Sequence, residues 1–340
     1  QSAIIKLKWG ESPDKLLIPN SPKFIKFALG ENVKRGNASS NPNRYPVTRM
    51  GVEQVFVDAF TRAIEYKKEW ETYNKAKVKT GLKMPRKDLE LDALVEILND
   101  ERHITCHSYV QSEINMLMNV ADSLGFKINT FTHILEGYKL ADKMRERGIS
   151  GSTFSDWWAY KMEVKEAIPY NGAILSKMGI TTAINSDDAE MARRLNQEAA
   201  KTVLYGGLTE AEAWKTVTLN PAKMLKLDDR LGSIKVGKDA DLVLWTDNPL
   251  SIYAKPEKTI IDGTVYFDLD TKEQKEKELN DEKNRLVQIL LAEKGKGTPT
   301  ERPVMRARME HVHCDHIMEY DGVSVENLDT FLRIINNRGK

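Results

Sequence analysis

HITCHSYVQSEINMLMNVADSLGFKINTFTH, residues 103–133, reads as one strand–helix–strand unit. His103-Ile104-Thr105-Cys106-His107 is a short strand, Ser112 to Gly125 a helix, and Lys127 to His133 a second strand. Outward from it the alternation continues. Leu89 to Leu98 is a helix, Gly137 to Gly148 another, and Ile149 to Phe154 an irregular strand. Ile168 to Gly179 includes a helix, and Ile180-Thr181-Thr182-Ala183-Ile184-Asn185 is a strand. Upstream, Phe24-Ile25-Lys26-Phe27-Ala28-Leu29 is a strand running into the turn Gly30-Glu31-Asn32, and Ala3 to Trp9 is strand-like. Val52, Val55, Phe56, Ala59, Phe60, Ala63 and Ile64 recur at helical spacing after a polar loop, Asn37 to Thr48. Residues 66–87, dense in lysine and glutamate, read as a surface insertion, part helical extension and part loop. Such alternation predicts an α/β fold with a parallel sheet and helical crossovers. In a closed (β/α) barrel, polar residues at strand C-termini line the active face. His107, His133 and Asp187 each sit at or just beyond such an end.

The balance of 51 basic and 50 acidic residues in 340 gives no net field, which argues against a nucleic-acid footprint or a polybasic membrane patch. No apolar run approaches the roughly 18 residues needed to span a bilayer. Two cysteines, Cys106 and Cys314, make no disulfide framework, so the compartment stays open between cytoplasm and periplasm.

A second stretch, LNPAKMLKLDDRLGSIKVGKDADLVLW, residues 219–245, sets Asn220-Pro221 at a helix start. Gly232 and Gly237 then punctuate two short strands of a compact hairpin, and Leu242 to Trp245 reads as a buried strand. Together with Asn185-Ser186-Asp187-Asp188, this stretch resembles the C-terminal part of the metal-dependent amidohydrolase superfamily, through the pattern T-x-N-P-A-x-x-L…G-S-I-x-x-G-K-x-A-D-L. The contexts of Lys26 and His107 are similar to its imidazolonepropionase-like and prolidase-like branch. The resemblance implies a (β/α)8 TIM-type barrel over 1–230, a small β-sandwich subdomain over 231–268, and a charged helix with a C-terminal tail over 269–340. Members begin with a β-rich segment and a first barrel strand carrying His-x-His. The first histidine here is His103, so the expectation is a barrel lacking its first strands, in an N-terminally incomplete chain that opens at Gln1.

The resemblance also implies roles. His107 looks like the metal-binding histidine of the fifth barrel strand and His133 like that of the sixth. Asp187 looks like the eighth-strand aspartate, which contacts metal and shuttles protons. Lys26 is similar to the fourth-strand lysine that some members carboxylate to bridge two metals, with Glu31 a competing carboxylate. The implied cofactor is a divalent metal, zinc first, as one or two ions in the intact enzyme. Zinc takes imidazole nitrogen and carboxylate oxygen delivered from separate elements to one point. Tyr160, Tyr170 and Asn171, after the seventh strand, are weaker candidates to line a substrate pocket; covering the barrel mouth is their plainer role. Asp188 reads as a helix cap, and His103, four residues before His107, as structural.

The expected reaction is hydrolysis of a C–N bond in an amide, cyclic amide or imidazolone-like small molecule. Ring deamination on the same fold is the alternative, and a non-catalytic, barrel-derived binding or scaffold protein is the alternative of another class, favoured by the missing His-x-His strand. Homo-oligomerisation is left open. His311-Val312-His313-Cys314-Asp315-His316 fits H-x-H-x-D-H, a metallo-β-lactamase signature, but the run before it is charged rather than core-like. Adventitious metal binding or tail packing is the reading there.

Overall fold

A computed structural model describes residues 2–35, 45–155 and 161–299. Tyr160, most of the polar loop and the histidines of 311–316 lie outside the described residues. These residues form two compact units, one built on Pro19–Ser233 and the other on Ile5–Ile18 with the segment from Ile234.

The first unit holds five parallel strands, β1 (Lys23–Ala28), β2 (Arg102–His107), β3 (Thr130–His133), β4 (Ser150–Thr153) and β5 (Thr182–Ile184), side by side in chain order. Parallel neighbours need a crossover that returns the chain to the same end. α1 (Arg49–Lys75) and α2 (Leu89–Leu98) make the first crossover, α3 (Gln111–Leu124) the second, α4 (Ala141–Glu146) the third and α5 (Asn171–Lys177) the fourth. α6 (Leu195–Gly206), α7 (Glu210–Lys215) and α8 (Leu219–Met224) follow β5. This is an α/β fold with the strand arrangement from which TIM-type barrels are made.

Local chemistry sets the element boundaries. Thr48 Oγ1 accepts from the Gly51 amide to start α1, and Asp88 accepts from Glu90 and Leu91 to start α2. α1 continues through the lysine- and glutamate-rich stretch to Lys75, where the Tyr66 hydroxyl donates to Asp92 of α2 at 2.8 Å. Ile104, Cys106 and Phe131 point from the sheet into a core with Phe60, Leu117 and Met118. Phe60 and Phe126 stack there, ring centroids 3.9 Å apart. Side chains alternate across a strand, so Lys26, Thr105 and Thr130, which share a register row, fall on the opposite face of the sheet. Gly232 of the second quoted stretch is a packing glycine. A Cβ there would stand 2.7 Å from Ala222 Cβ and 2.9 Å from Leu219 Cα, and its φ is +79°.

The second unit departs from expectation in three ways. Residues 232–241 contain no strand, and the antiparallel sheet is β6 (Leu242–Trp245), β7 (Pro256–Ile261) and β8 (Thr264–Asp268). Its tight hairpin joins β7 to β8 through Asp262 (φ +50°) and Gly263 (φ +77°), the Asp-Gly pair that such turns favour. Among the described residues this is one sheet rather than a sandwich, and β6 is not buried: Val243 and Leu244 are 44% and 50% exposed. Ala3 to Trp9 forms no strand either; Ser2 pairs singly with Phe24, and Ile5 with Leu17. Lys6, on that segment, has its ammonium at 2.8 Å from Asp239 and 2.9 Å from Asp241, and also pairs with Asp262. A final helix, α9 (Lys272–Gly295), has no buried residue. No described helix is long and apolar enough to cross a membrane.

Candidate active site

Strand register places the first imidazole. Ala28, His107 and Thr132 occupy one row across β1, β2 and β3, so His107 ends β2 on the polar face that also carries Lys26. His133 needs a different device. Alternation alone would carry it to the helix-packed face with Phe131, but its φ is +70°. The chain turns there, and the ring comes to lie 4.7 Å from the His107 ring and stacks on Phe154 at 4.8 Å. Asp187, at φ +52°, follows β5, and its Oδ2 reaches 3.4 Å from His133 Nε2. Non-glycine residues in the left-handed region cost on the order of 1–3 kcal/mol each and concentrate at functional sites.

The electrostatics make both rings neutral. His107 is 1% exposed and His133 4%. Burial pulls the His107 pKa down to about 3, with Lys26 and then Lys161 pushing the same way. Burial first, then His107, Lys26 and Lys161, hold His133 well below its ordinary value. A neutral imidazole keeps a lone pair for a ligand. Neither ring nitrogen of His107 has a hydrogen-bond partner among the described residues, and Asp187 Oδ2 makes its 3.4 Å contact without hydrogen-bond alignment. Buried polar atoms are rarely left so.

A small scaffold surrounds the pair. Tyr109 presents its ring edge-on to His107 at 4.7 Å, and the Lys161 ammonium lies 4.5 Å from the Tyr109 ring centre. Glu163, buried, stands 2.9 Å from Lys161 and accepts from the Glu31 amide at 2.8 Å. Asn185 lies 3.0 Å from His133 Nδ1.

The structure thus gathers His107, His133 and Asp187, with Lys26 near enough to act on both imidazoles. The three do not all bring a ligand atom within 4.8 Å of one another, so the set is looser than a closed cage. The described acidic trio that meets this spacing, Asp239, Asp241 and Asp262, already has the Lys6 ammonium at its centre. Glu31 enters the site through its backbone amide. Tyr170 is half exposed, before α5. Asn171 is corrected from a substrate contact to a structural tie. Its Nδ2 donates to Ile134 O and Thr153 Oγ1, each at 2.9 Å, and its Oδ1 accepts from the Tyr138 amide. Asp188 caps the turn that follows it, accepting from Glu190 and Met191. His103 packs edge-on against Phe24 at the far end of β2. Tyr109, Phe154, Asn185 and Glu163 were not singled out from sequence as site residues; Asn185 lay within the quoted strand end, two residues before Asp187.

A parallel α/β sheet with imidazoles and a carboxylate at its C-terminal strand ends defines an enzyme-type site. The amidohydrolase family's sequence profile matches residues 161–266. Amidohydrolase tasK of Hapsidospora irregularis is 32% identical over 256 residues, 72% of this chain and 26% of that protein. Urease subunit alpha of Edwardsiella ictaluri (strain 93-146) is 36% identical over 109 residues, 27% of this chain and 19% of its own length. The crystal structure of an amidohydrolase from Thermotoga maritima MSB8 superposes with a TM-score of 0.69 at 30% identity, covering 78% of this chain and 67% of that one. The chain belongs to the amidohydrolase family. It spans about a quarter or less of the length of the two curated relatives.

Proposed function

We propose that this chain carries the site of a metal-dependent hydrolase acting on a C–N bond of a small amide, cyclic amide or imidazolone-like substrate. One observation carries the reading: two buried, neutral imidazoles at adjacent strand ends, one with both nitrogens unpartnered among the described residues, beside a carboxylate oxygen that also has no hydrogen bond among them. Imidazole nitrogen and carboxylate oxygen suit zinc and related ions, so the residues fit the group the family implies. His107, His133 and Asp187 would hold it. Lys26, if carboxylated, would add an anionic oxygen that a plain lysine lacks. A divalent ion bound there supplies Lewis acidity and lowers the pKa of water from about 15.7 to about 7.

The chain's own groups do the rest. Asp187 keeps Oδ2 buried beside His133 while its side chain as a whole is 30% exposed, so the carboxylate spans the imidazole and the solvent side of the site. There it takes a proton from water and returns it to the leaving nitrogen. Tyr109 and Phe154 pack against the imidazoles and keep water from them, which strengthens every charge interaction inside. Element analysis of the purified chain, followed by a panel of small amides, lactams and ring amines, tests this. The expectation is bound metal together with turnover, both lost in a His107→Ala, His133→Ala variant. Wild-type chain that binds no metal and turns over no panel member would overturn the reading. Release of ammonia from the ring amines alone would assign deamination instead.

A further inference from the structure

Asn185 ends the β5 segment with an amide against the back of an imidazole. Its Nδ2 lies 3.0 Å from His133 Nδ1, while its own Oδ1 is buried with no partner among the described residues. That leaves one acceptor unmet, and it fixes His133 in the form with hydrogen on Nε2, the nitrogen that faces Asp187 at 3.4 Å. Turning the amide end for end exchanges these roles at the same separation. Oδ1 then accepts from Nδ1–H, the orphaned oxygen is satisfied, and Nε2 is left with its lone pair toward Asp187.

We propose that Asn185 is a positioning residue that selects the Nδ1–H tautomer of His133 and so turns Nε2 into a metal ligand. The geometry is economical. Asn185 and Asp187 are two residues apart, and between them they engage both nitrogens of one ring. His107 has no such partner among the described residues and packs its ring against Tyr109 and His133. The two imidazoles of the pair are therefore not equivalent: one has its tautomer set by a hydrogen bond, the other its plane set by packing. Outer partners of this kind raise ligand basicity and typically change metal affinity 10–100-fold when removed, on an order-of-magnitude scale.

The inference rests on the metal-site reading above, and its test separates the two. Zinc affinity is measured by competition with a chelator for wild type, Asn185→Asp and Asn185→Leu, and the His133 tautomer is read from ring 15N shifts in the zinc-loaded chains. Asp keeps an acceptor at the same place; Leu removes it at similar volume. Expected are an Nδ1–H signature in wild type and Asn185→Asp, zinc affinity of Asn185→Asp within a few-fold of wild type, and a loss of about 10–100-fold in Asn185→Leu. If Asn185→Leu does not fold, as judged by circular dichroism, Asn185→Ser takes its place, since the shorter hydroxyl cannot span the gap. Equal zinc affinity in all variants, or an Nε2–H tautomer in loaded wild type, overturns the role of Asn185 alone. Wild type that takes up no zinc overturns the metal site itself, and this inference with it.

Discussion

His107 joins two properties that pull against each other, deep burial and a polar ring whose nitrogens have no partner among the described residues. Its folded pKa of about 3 lies below the ordinary 6.5, so between those values the unfolded chain binds more protons than the folded one. Stability is then complete above about pH 6.5 and falls as pH drops toward 3, by up to about 1.4 kcal/mol per pH unit from this one group. His133 acts in the same direction. Urea unfolding of the metal-free chain across pH 3–7 should show a shallower slope in His107→Gln than in wild type. An unchanged slope would mean that the ring is protonated when folded. At this scale the sequence places His107, His133 and Asp187 at or just beyond strand ends, and the structure brings the three side chains near one another. What period-2 alternation did not reveal is how His133 reaches the site, because a left-handed φ at a histidine reverses the face that alternation assigns. Asn171 misled for a related reason. A polar residue after a strand looks like a pocket liner until its amide is seen tying the ends of β3 and β4 together.

The connection from β4 to α5 bears on the site through Glu163. Its carboxylate accepts from the Glu31 amide at the end of β1 and pairs with Lys161, which sits over Tyr109. Glu163→Ala takes the side-chain acceptor from that amide and one carboxylate from beside the Lys161 ammonium, with an expected cost of about 1–3 kcal/mol. Glu163→Gln keeps the acceptor and should recover part of that loss in the same denaturation series; no difference between the two would remove the brace. Gly232→Ala should be destabilising by about 2 kcal/mol or more, since the added methyl meets Ala222 and Leu219 at a positive φ. A neutral result in thermal unfolding would contradict the close approach. The order of strands and helices over 89–185 was legible from their periods, and α2 begins and ends where the pattern places it, whereas the strand expected from Lys127 begins at Thr130 and the helix expected from Gly137 begins at Ala141. The second sheet was not. Gly232 and Gly237 suggested a hairpin, but one is a packing contact, and the turn that makes the hairpin is Asp262-Gly263, further along.

At the scale of the molecule, each unit has its own electrostatic signature. The first keeps neutral imidazoles and a carboxylate at its strand ends. In the second, the ammonium groups of Lys6 and Lys8 pair with a cluster of three aspartates. Lys6→Met removes the cation that Asp239, Asp241 and Asp262 share and leaves only Lys8, at Asp262, and the loss expected from unfolding measurements is about 1–3 kcal/mol. A loss that is unchanged between low and high salt would mean packing, not charge, holds that segment. Membership of the amidohydrolase family was legible from the Asn-Pro-Ala and Gly-Lys-x-Ala-Asp runs together with the Asp187 strand end, because a short motif with fixed spacing survives where overall likeness is modest. The pairings that finish the site, Asn185 with His133 and Glu163 with Glu31, join residues 52 and 132 positions apart, and no local period signals such distances. The central claim is that His107, His133 and Asp187 form one metal site. Anomalous diffraction at the zinc edge from crystals of the zinc-loaded chain tests it most directly. A peak about 2.0–2.2 Å from a nitrogen of both imidazoles and an oxygen of Asp187 is the expected result; a peak elsewhere, or none between these three side chains, would contradict it.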